Sequence, residues 1–309
     1  MVRLIRATLA ISLFTFTDAQ GPWPCGTCTN DSPEPIIPAP PPWILKASAY
    51  AFPIIPLEKL PSKAYSPLEK NSTATKGTFL GLTGAILLVR YTDTPVGPYD
   101  ELSIIPGVFG YIKTNSDGSR TPKASIRGTR FYVSQKYTNW NGRVNWNIPK
   151  HLAKFVWTDN TDGSSSVKIY PYDTTGDPHE STPATLPFFQ ASFSPVTPTI
   201  PLPINTDILR YLGLSPPLIQ APLPAGDGSY GELPGTTQWA ETLLGMSSDF
   251  STPGIFDMYQ GAGDEVGDSG FNAVGDEYFP NFWPNIPRYN VGIKMENATI
   301  SFPVPDKWY

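Results

Sequence analysis

Proline and glycine punctuate this chain so densely that long helices are excluded over most of it: 36 Pro and 26 Gly stand among 309 residues. Each proline removes an amide donor and clashes with the preceding helical turn, so the intervening segments suit short strands and many connections. A hydrophobic content of 40%, with 13% aromatic residues, is enough for a sizeable core in one large or two small domains. Only 16% of residues are charged and the net charge is -5. No Lys/Arg cluster supplies a phosphate-binding face, so no nucleic-acid partner is expected.

The apolar pattern places strands at Ile44 to Ile55, Gly77 to Tyr91, Glu101 to Ile105, Val108 to Ile112, Ser125 to Ser134, Phe155 to Asp159 and Ser165 to Tyr170. The apolar run before Tyr91 reads as buried β rather than membrane, because Gly77, Gly81 and Gly84 interrupt it and Arg90 closes it. Asn115-Ser116-Asp117-Gly118 is a hairpin turn, and a brief helix is expected near His151. In the second half, Leu186 to Ile200 reads as an edge strand because of Pro195 and Pro198. Ile208 to Leu212 reads as a helical turn, Pro222 to Gly235 as a loop and Thr237 to Leu244 as a short helix. A strand from Tyr289 to Phe302 would tie the two halves together. These elements predict a mostly β, antiparallel domain over residues 43–309, preceded by a proline-rich arm at 20–42.

The first nineteen residues read as a signal peptide: Arg3 and Arg6 are basic, Ala7 to Phe16 is a short apolar run, and Thr17-Asp18-Ala19 ends on a small residue. That run is too short for stable membrane insertion, so a secreted or secretory-lumen protein is expected. Sequons at Asn30, Asn71 and Asn297 agree with glycosylation. The only cysteines, Cys25 and Cys28, lie in a proline-rich stretch and read as a local disulfide rather than a redox pair or half a zinc site. Asp264, Glu265, Asp268, Asp276 and Glu277 lack the order of a calcium loop and read as solvent-facing. With His151 and His179 the only histidines, a three-histidine zinc site is excluded, and no nucleotide fingerprint or Gly-x-Ser-x-Gly elbow is present. No metal or cofactor is therefore expected. Trp140 and Trp146 would serve equally as ligand wall or core.

One constellation remains. Tyr91-Thr92-Asp93-Thr94-Pro95-Val96-Gly97-Pro98-Tyr99-Asp100-Glu101-Leu102, then Arg130-Phe131-Tyr132-Val133-Ser134, then Gly142-Arg143-Val144-Asn145-Trp146-Asn147-Ile148-Pro149-Lys150-His151 resembles the acetoacetate decarboxylase-like superfamily, closest to its fungal branch. The resemblance covers roughly Pro42 to Ser165 and extends only loosely over Leu186 to Tyr309. It implies an antiparallel β-barrel or cone enclosing a pocket, with Lys150 as the Schiff-base lysine and Glu101 as a pocket carboxylate. The sequence departs from the decarboxylase pattern in having Pro149 where a second lysine would stand and Val144 where a glutamate would follow Gly-Arg. No counterpart of the family's N-terminal pocket arginine stands near Pro41 and Trp43.

The residues themselves support a modest version of this chemistry. If Asn147 capped a helix whose early turn contains Pro149, Lys150 would lie in its first turn, where the backbone field disfavours an ammonium. A neutral amine is what carbonyl attack requires. Arg143 or His151 would add positive field, with Lys154 one turn away, and Glu101 would move the proton. Each also has an ordinary structural reading: Lys150 as a surface lysine, Glu101 as a cap, Arg143 as a residue pinning a loop. Two functions follow. One is a Schiff-base lyase acting on a small ketone or keto acid by decarboxylation, aldol-type or dehydration chemistry. The other is a non-catalytic secreted barrel binding a small apolar metabolite. In either case barrel edges or the arm would allow a homo-oligomer.

Overall fold

The computed structural model describes residue 30 and residues 32–61, 63–82, 84–171, 187–196, 202–211, 216–258, 272–274, 277–279 and 286–309. The candidate signal segment, both cysteines, His179 and most of the acidic 261–277 segment lie outside the described residues. The strands of the first half are β1 (Trp43–Ile54), β2 (Thr78–Gly81), β3 (Gly84–Asp93), β4 (Tyr99–Ile105), β5 (Gly107–Thr114), β6 (Arg120–Arg127), β7 (Arg130–Val133), β8 (Lys150–Asp159) and β9 (Ser165–Pro171). Those of the second half are β10 (Phe189–Pro195), β11 (Leu202–Asn205), β12 (Leu218–Gln220), β13 (Trp239–Thr242), β14 (Gly245–Asp257), β15 (Asn272–Val274), β16 (Glu277–Phe279), β17 (Val291–Phe302) and β18 (Asp306–Trp308). Two α-helices are described, α1 (Lys136–Trp146) and α2 (Thr206–Tyr211).

The main sheet runs β10-β9-β8-β7-β4-β3-β1-β17-β14-β11, and β10 also pairs with β14, so the sheet returns on itself. Pairing is antiparallel except between β7 and β8. A second sheet has the order β18-β13-β12-β6-β5-β2. The two faces of the main sheet carry separate cores, because successive strand residues alternate in direction. Tyr50, Phe52, Leu88, Leu102, Tyr132, Val167, Phe193 and Phe256 meet in one, drawing on strands all along the β1–β14 path. Leu45, Val89, Tyr99, Val133, Leu152 and Ile300 belong to the other, against which Tyr137 and Trp146 of α1 pack. Trp146 and Trp43 meet edge-on at 5.0 Å, so Trp146 is core.

Several expectations change. The Gly77–Tyr91 strand is two, split at Leu82, whose φ of 64° cannot continue a pleat. Ser125–Ser134 likewise divides around Gly128 into β6 and β7, which lie in different sheets. Thr237–Leu244 holds strand β13 rather than a helix, because it pairs with β12 and β18. Strand β10 is no edge, as β9 and β14 flank it. The Gly118 turn and the return of β17 to β1 and β14 are as expected.

Within the proline-rich arm, residues 37 and 39 are bonded to α1. Ala39 N donates to Asn141 Oδ1 at 2.7 Å, and Ile37 O and Ala39 O accept from Asn141 and Asn145. These contacts explain α1, whose Asn139, Gly142 and Asn145 are poor helix formers: tertiary hydrogen bonds outweigh propensity.

Candidate active site

The site begins where α1 ends. Asn147 adopts the left-handed conformation (φ 55°) and closes α1, with its amide bonded to Arg143 O and Gly142 O. The chain then enters β8, whose first residue is Lys150. Lys150 therefore starts a strand, and the expected helix near His151, with Asn147 as its N-cap, does not exist. The electrostatic argument from a helix N-terminus falls with it.

Burial and partners replace that argument. Lys150 is only 3% exposed. Its Nζ lies 2.9 Å from Glu101 Oε2, donates to Thr138 Oγ1 at 2.9 Å, and stands 5.0 Å over the Tyr99 ring. Parallel pairing of β7 with β8 sets Phe131 beside Lys150, and antiparallel pairing of β4 with β7 sets Glu101 beside Val133. Those registers bring strand residues 49 positions apart onto one face of the sheet, beneath α1. Glu101 is held from its other oxygen, where Ser103 Oγ donates to Oε1 at 2.7 Å. Oε2 receives no directed hydrogen bond, so its link to the ammonium is a close ion pair without ideal geometry. Tyr99 and Tyr91 complete the surroundings. Burial first, and then the Glu101 charge, push both phenols well above their ordinary ionisation range, so they stay protonated beside the carboxylate.

Gly142 makes room for the lysine. A Cβ at that position would stand 2.7 Å from Lys150 Cδ, 2.8 Å from Cε and 3.3 Å from Nζ. Thr138 and Gly142 are four residues apart and so share a helix face, along which the lysine side chain lies.

A second buried cluster supports the first from behind. Glu69 Oε1 accepts from Arg143 Nη1 at 3.0 Å, and Glu69 Oε2 lies 2.8 Å from His151 Nε2, all three side chains being fully buried. Burial by itself would raise the Glu69 carboxyl, but His151 and Arg143 overcome it and hold the group at about 2. Arg143 also donates to Lys150 O, Pro224 O and Pro234 O. The geometry thus brings Glu101 to the Lys150 amine, while the Arg143 guanidinium pins the backbone and the His151 ring joins Glu69. His151 follows Lys150 in a strand and points to the opposite sheet face. Lys154 is exposed, over the Tyr170 ring. Glu69, Thr138 and Ser103 escaped sequence reasoning, since an isolated loop Glu and two hydroxyl residues carry no spacing signal.

Among the described residues no group of three or more His, Cys, Asp and Glu side chains could hold a metal ion, and no helix is long and apolar enough to cross a membrane.

No family model matches the sequence. The rice (Oryza sativa subsp. japonica) Protein NEOXANTHIN-DEFICIENT 1 is 26% identical over 119 residues, which is 38% of this chain and 35% of that protein. The match spans about a third of that relative's length. Among solved structures, acetoacetate decarboxylase from Legionella pneumophila superposes with a TM-score of 0.52 at 13% identity, covering 90% of this chain and 93% of that one. A second acetoacetate decarboxylase structure gives a TM-score of 0.53 at 11% identity over 92% and 96% of the two chains. At these identities the likeness is one of fold: the chain has the fold of the acetoacetate decarboxylases.

Proposed function

We propose that the protein is a Schiff-base lyase acting on a small keto acid or other ketone-bearing metabolite, with Lys150 as the covalent residue and Glu101 as its proton carrier. The observation that carries this reading is the buried Lys150–Glu101 pair. Nζ and Oε2 stand 2.9 Å apart inside the protein, close enough for one proton to pass between them. Moving one proton from Nζ to Glu101 therefore yields the nucleophile and stores the proton the reaction later needs.

The amine adds to the substrate carbonyl, and the Glu101 proton passes to the departing hydroxyl, so that water leaves and a protonated imine remains on Nζ. With a β-keto acid, the bond to the carboxylate breaks, its electron pair moves to the iminium nitrogen and carbon dioxide leaves. Glu101, reprotonated from solvent, then protonates the enamine carbon, and water hydrolyses the resulting iminium to release the ketone and return Lys150 as the ammonium. Aldol-type or dehydration chemistry uses the same imine. Tyr99 and Tyr91, protonated and buried, supply neutral donors that add no competing charge.

The test is carbon dioxide release from β-keto acids, together with exchange of a ketone's carbonyl oxygen into isotopically labelled water. Wild type should do at least the exchange, and Lys150→Ala should do neither. Exchange that persists in Lys150→Ala would overturn the reading and favour a barrel that binds a small metabolite without covalent chemistry.

A further inference from the structure

Charge around Lys150 is balanced, with no cation left over for a charged substrate. The chain has 22 lysines and arginines, and the described residues hold all of them except Arg3 and Arg6. Among the described residues the Lys150 ammonium forms an ion pair with Glu101 alone, and Glu101 with no other cation. Arg143 meets Lys150 only at the backbone carbonyl, and its guanidinium is committed to Glu69, Pro224 O and Pro234 O. His151 is committed to the same Glu69. The other polar groups at the amine are neutral hydroxyls: Lys150 Nζ donates to Thr138 Oγ1, and Tyr99 is hydrogen-bonded to both Thr138 and Tyr91. Such a chain suits a hydroxyl or carbonyl oxygen and offers no charged fork to a carboxylate.

Counting charges and protons through the reaction separates the possible substrates. A protonated imine keeps one positive charge on Nζ, so with an uncharged ketone the iminium and the Glu101 carboxylate still cancel. A substrate carboxylate would add a buried negative charge beside Glu101 with nothing to pair it, which is costly. The proton count points the same way. Forming the imine uses the Glu101 proton, and loss of carbon dioxide supplies none, so decarboxylation needs a solvent proton at a carboxylate that is 4% exposed. A β-hydroxyl group supplies that proton itself.

We propose that the substrate at Lys150 is an uncharged β-hydroxy ketone, which Lys150 and Glu101 cleave to a ketone and an aldehyde. The inference rests on the Schiff-base reading of Lys150. From the iminium, the Glu101 carboxylate takes the proton of the β-hydroxyl, the Cα–Cβ bond breaks, its electron pair moves to the iminium nitrogen, and the aldehyde leaves. Glu101 returns that proton to the enamine carbon, and water hydrolyses the iminium to the ketone and the Lys150 ammonium. The cycle consumes no proton from outside the site and carries no unpaired charge.

The experiment gives the full chain the aldol adduct of acetone and acetaldehyde, the aldol adduct of pyruvate and acetaldehyde, the methyl ester of that second adduct, and acetoacetate. Acetaldehyde is read with a coupled alcohol dehydrogenase, carbon dioxide is read from acetoacetate, and borohydride-trapped adduct on Lys150 is mapped for each probe. Wild type should cleave the acetone adduct and the methyl ester with a kcat/KM roughly tenfold or more above those for the pyruvate adduct and acetoacetate. Lys150→Ala should cleave none of them. Trapping on Lys150 with the pyruvate adduct or acetoacetate turned over as fast as the uncharged probes would overturn the substrate assignment and leave the Schiff-base reading standing. Trapping without cleavage of either uncharged probe would do the same. No adduct on Lys150 with any probe would overturn both. The wild-type arms decide the matter even if Lys150→Ala does not fold.

Discussion

Replacing Gly142 with alanine should separate chemistry from stability. The new methyl would sit 2.7 Å from Lys150 Cδ and 2.8 Å from Cε, where carbon atoms ordinarily rest about 3.5–4.0 Å apart. Those atoms belong to a flexible side chain, so the lysine gives way by roughly 1 Å while α1 keeps its place. A shift of that size costs about a hundredfold in a reaction needing near-attack alignment. Overpacking costs about 1–3 kcal/mol, and exchanging Gly for Ala inside a helix returns about 1 kcal/mol, so the net loss of stability is about 0–2 kcal/mol. The assay is the rate of borohydride-trapped adduct formation beside a urea unfolding curve. A variant that traps at the wild-type rate would refute the reasoning, because the lysine would then not depend on the space Gly142 leaves.

Glu101→Gln should still form trapped adduct but release product about 10²–10⁴-fold more slowly, measured by single-turnover kinetics. Glu69→Gln strips Arg143 and His151 of their shared anion and should cost about 3–5 kcal/mol in urea unfolding. Glu69 is held at about 2 against an ordinary 4.5, so its contribution is complete above pH 4.5 and disappears as pH falls toward 2. By linkage that is on the order of 3 kcal/mol, and the Gln variant should show a flatter acid limb. Asp100 behaves oppositely: burial raises it to about 6 despite Arg90 and Trp157, so the native state binds the extra proton and this contribution is lost as pH rises from about 4 through 6. Asp100→Asn, which keeps an acceptor for Trp157 Nε1, should stabilise the protein at pH 7 by about 2 kcal/mol. After expression through a secretory pathway, peptide mapping should find glycan on the exposed Asn71 and Asn297. It should find none on Asn30, whose amide is engaged with Ser134 O and Lys136 N.

Strands were legible where burial follows a period of two, as at Trp43, Leu45 and Ala47 of β1 and Ala298, Ile300 and Phe302 of β17, and the resemblance pointed to Lys150 and Glu101 before any geometry. Helix α1 was not legible. Its asparagines are weak helix formers that act only through partners such as Ala39 O and Glu232 O, far away in sequence. The helix-cap reading of Asn147 failed because the same residue type also serves left-handed C-caps, and only the preceding α1 decides between them. Arg143 was recognised as either pocket or pin, and its four carbonyl and carboxylate acceptors make it a pin. Glu69 stayed hidden because its partners come from α1 and β8, joined to it only by the fold.

The most direct measurement is peptide mapping of wild-type protein after incubation with a panel of small β-keto acids and 1,3-diketones plus borohydride. The account predicts one reduced adduct, on Lys150, absent from Lys150→Ala and sharply slowed in Gly142→Ala. Adduct spread over exposed lysines such as Lys154, with Lys150 unmodified in folded protein across the whole panel, would contradict it.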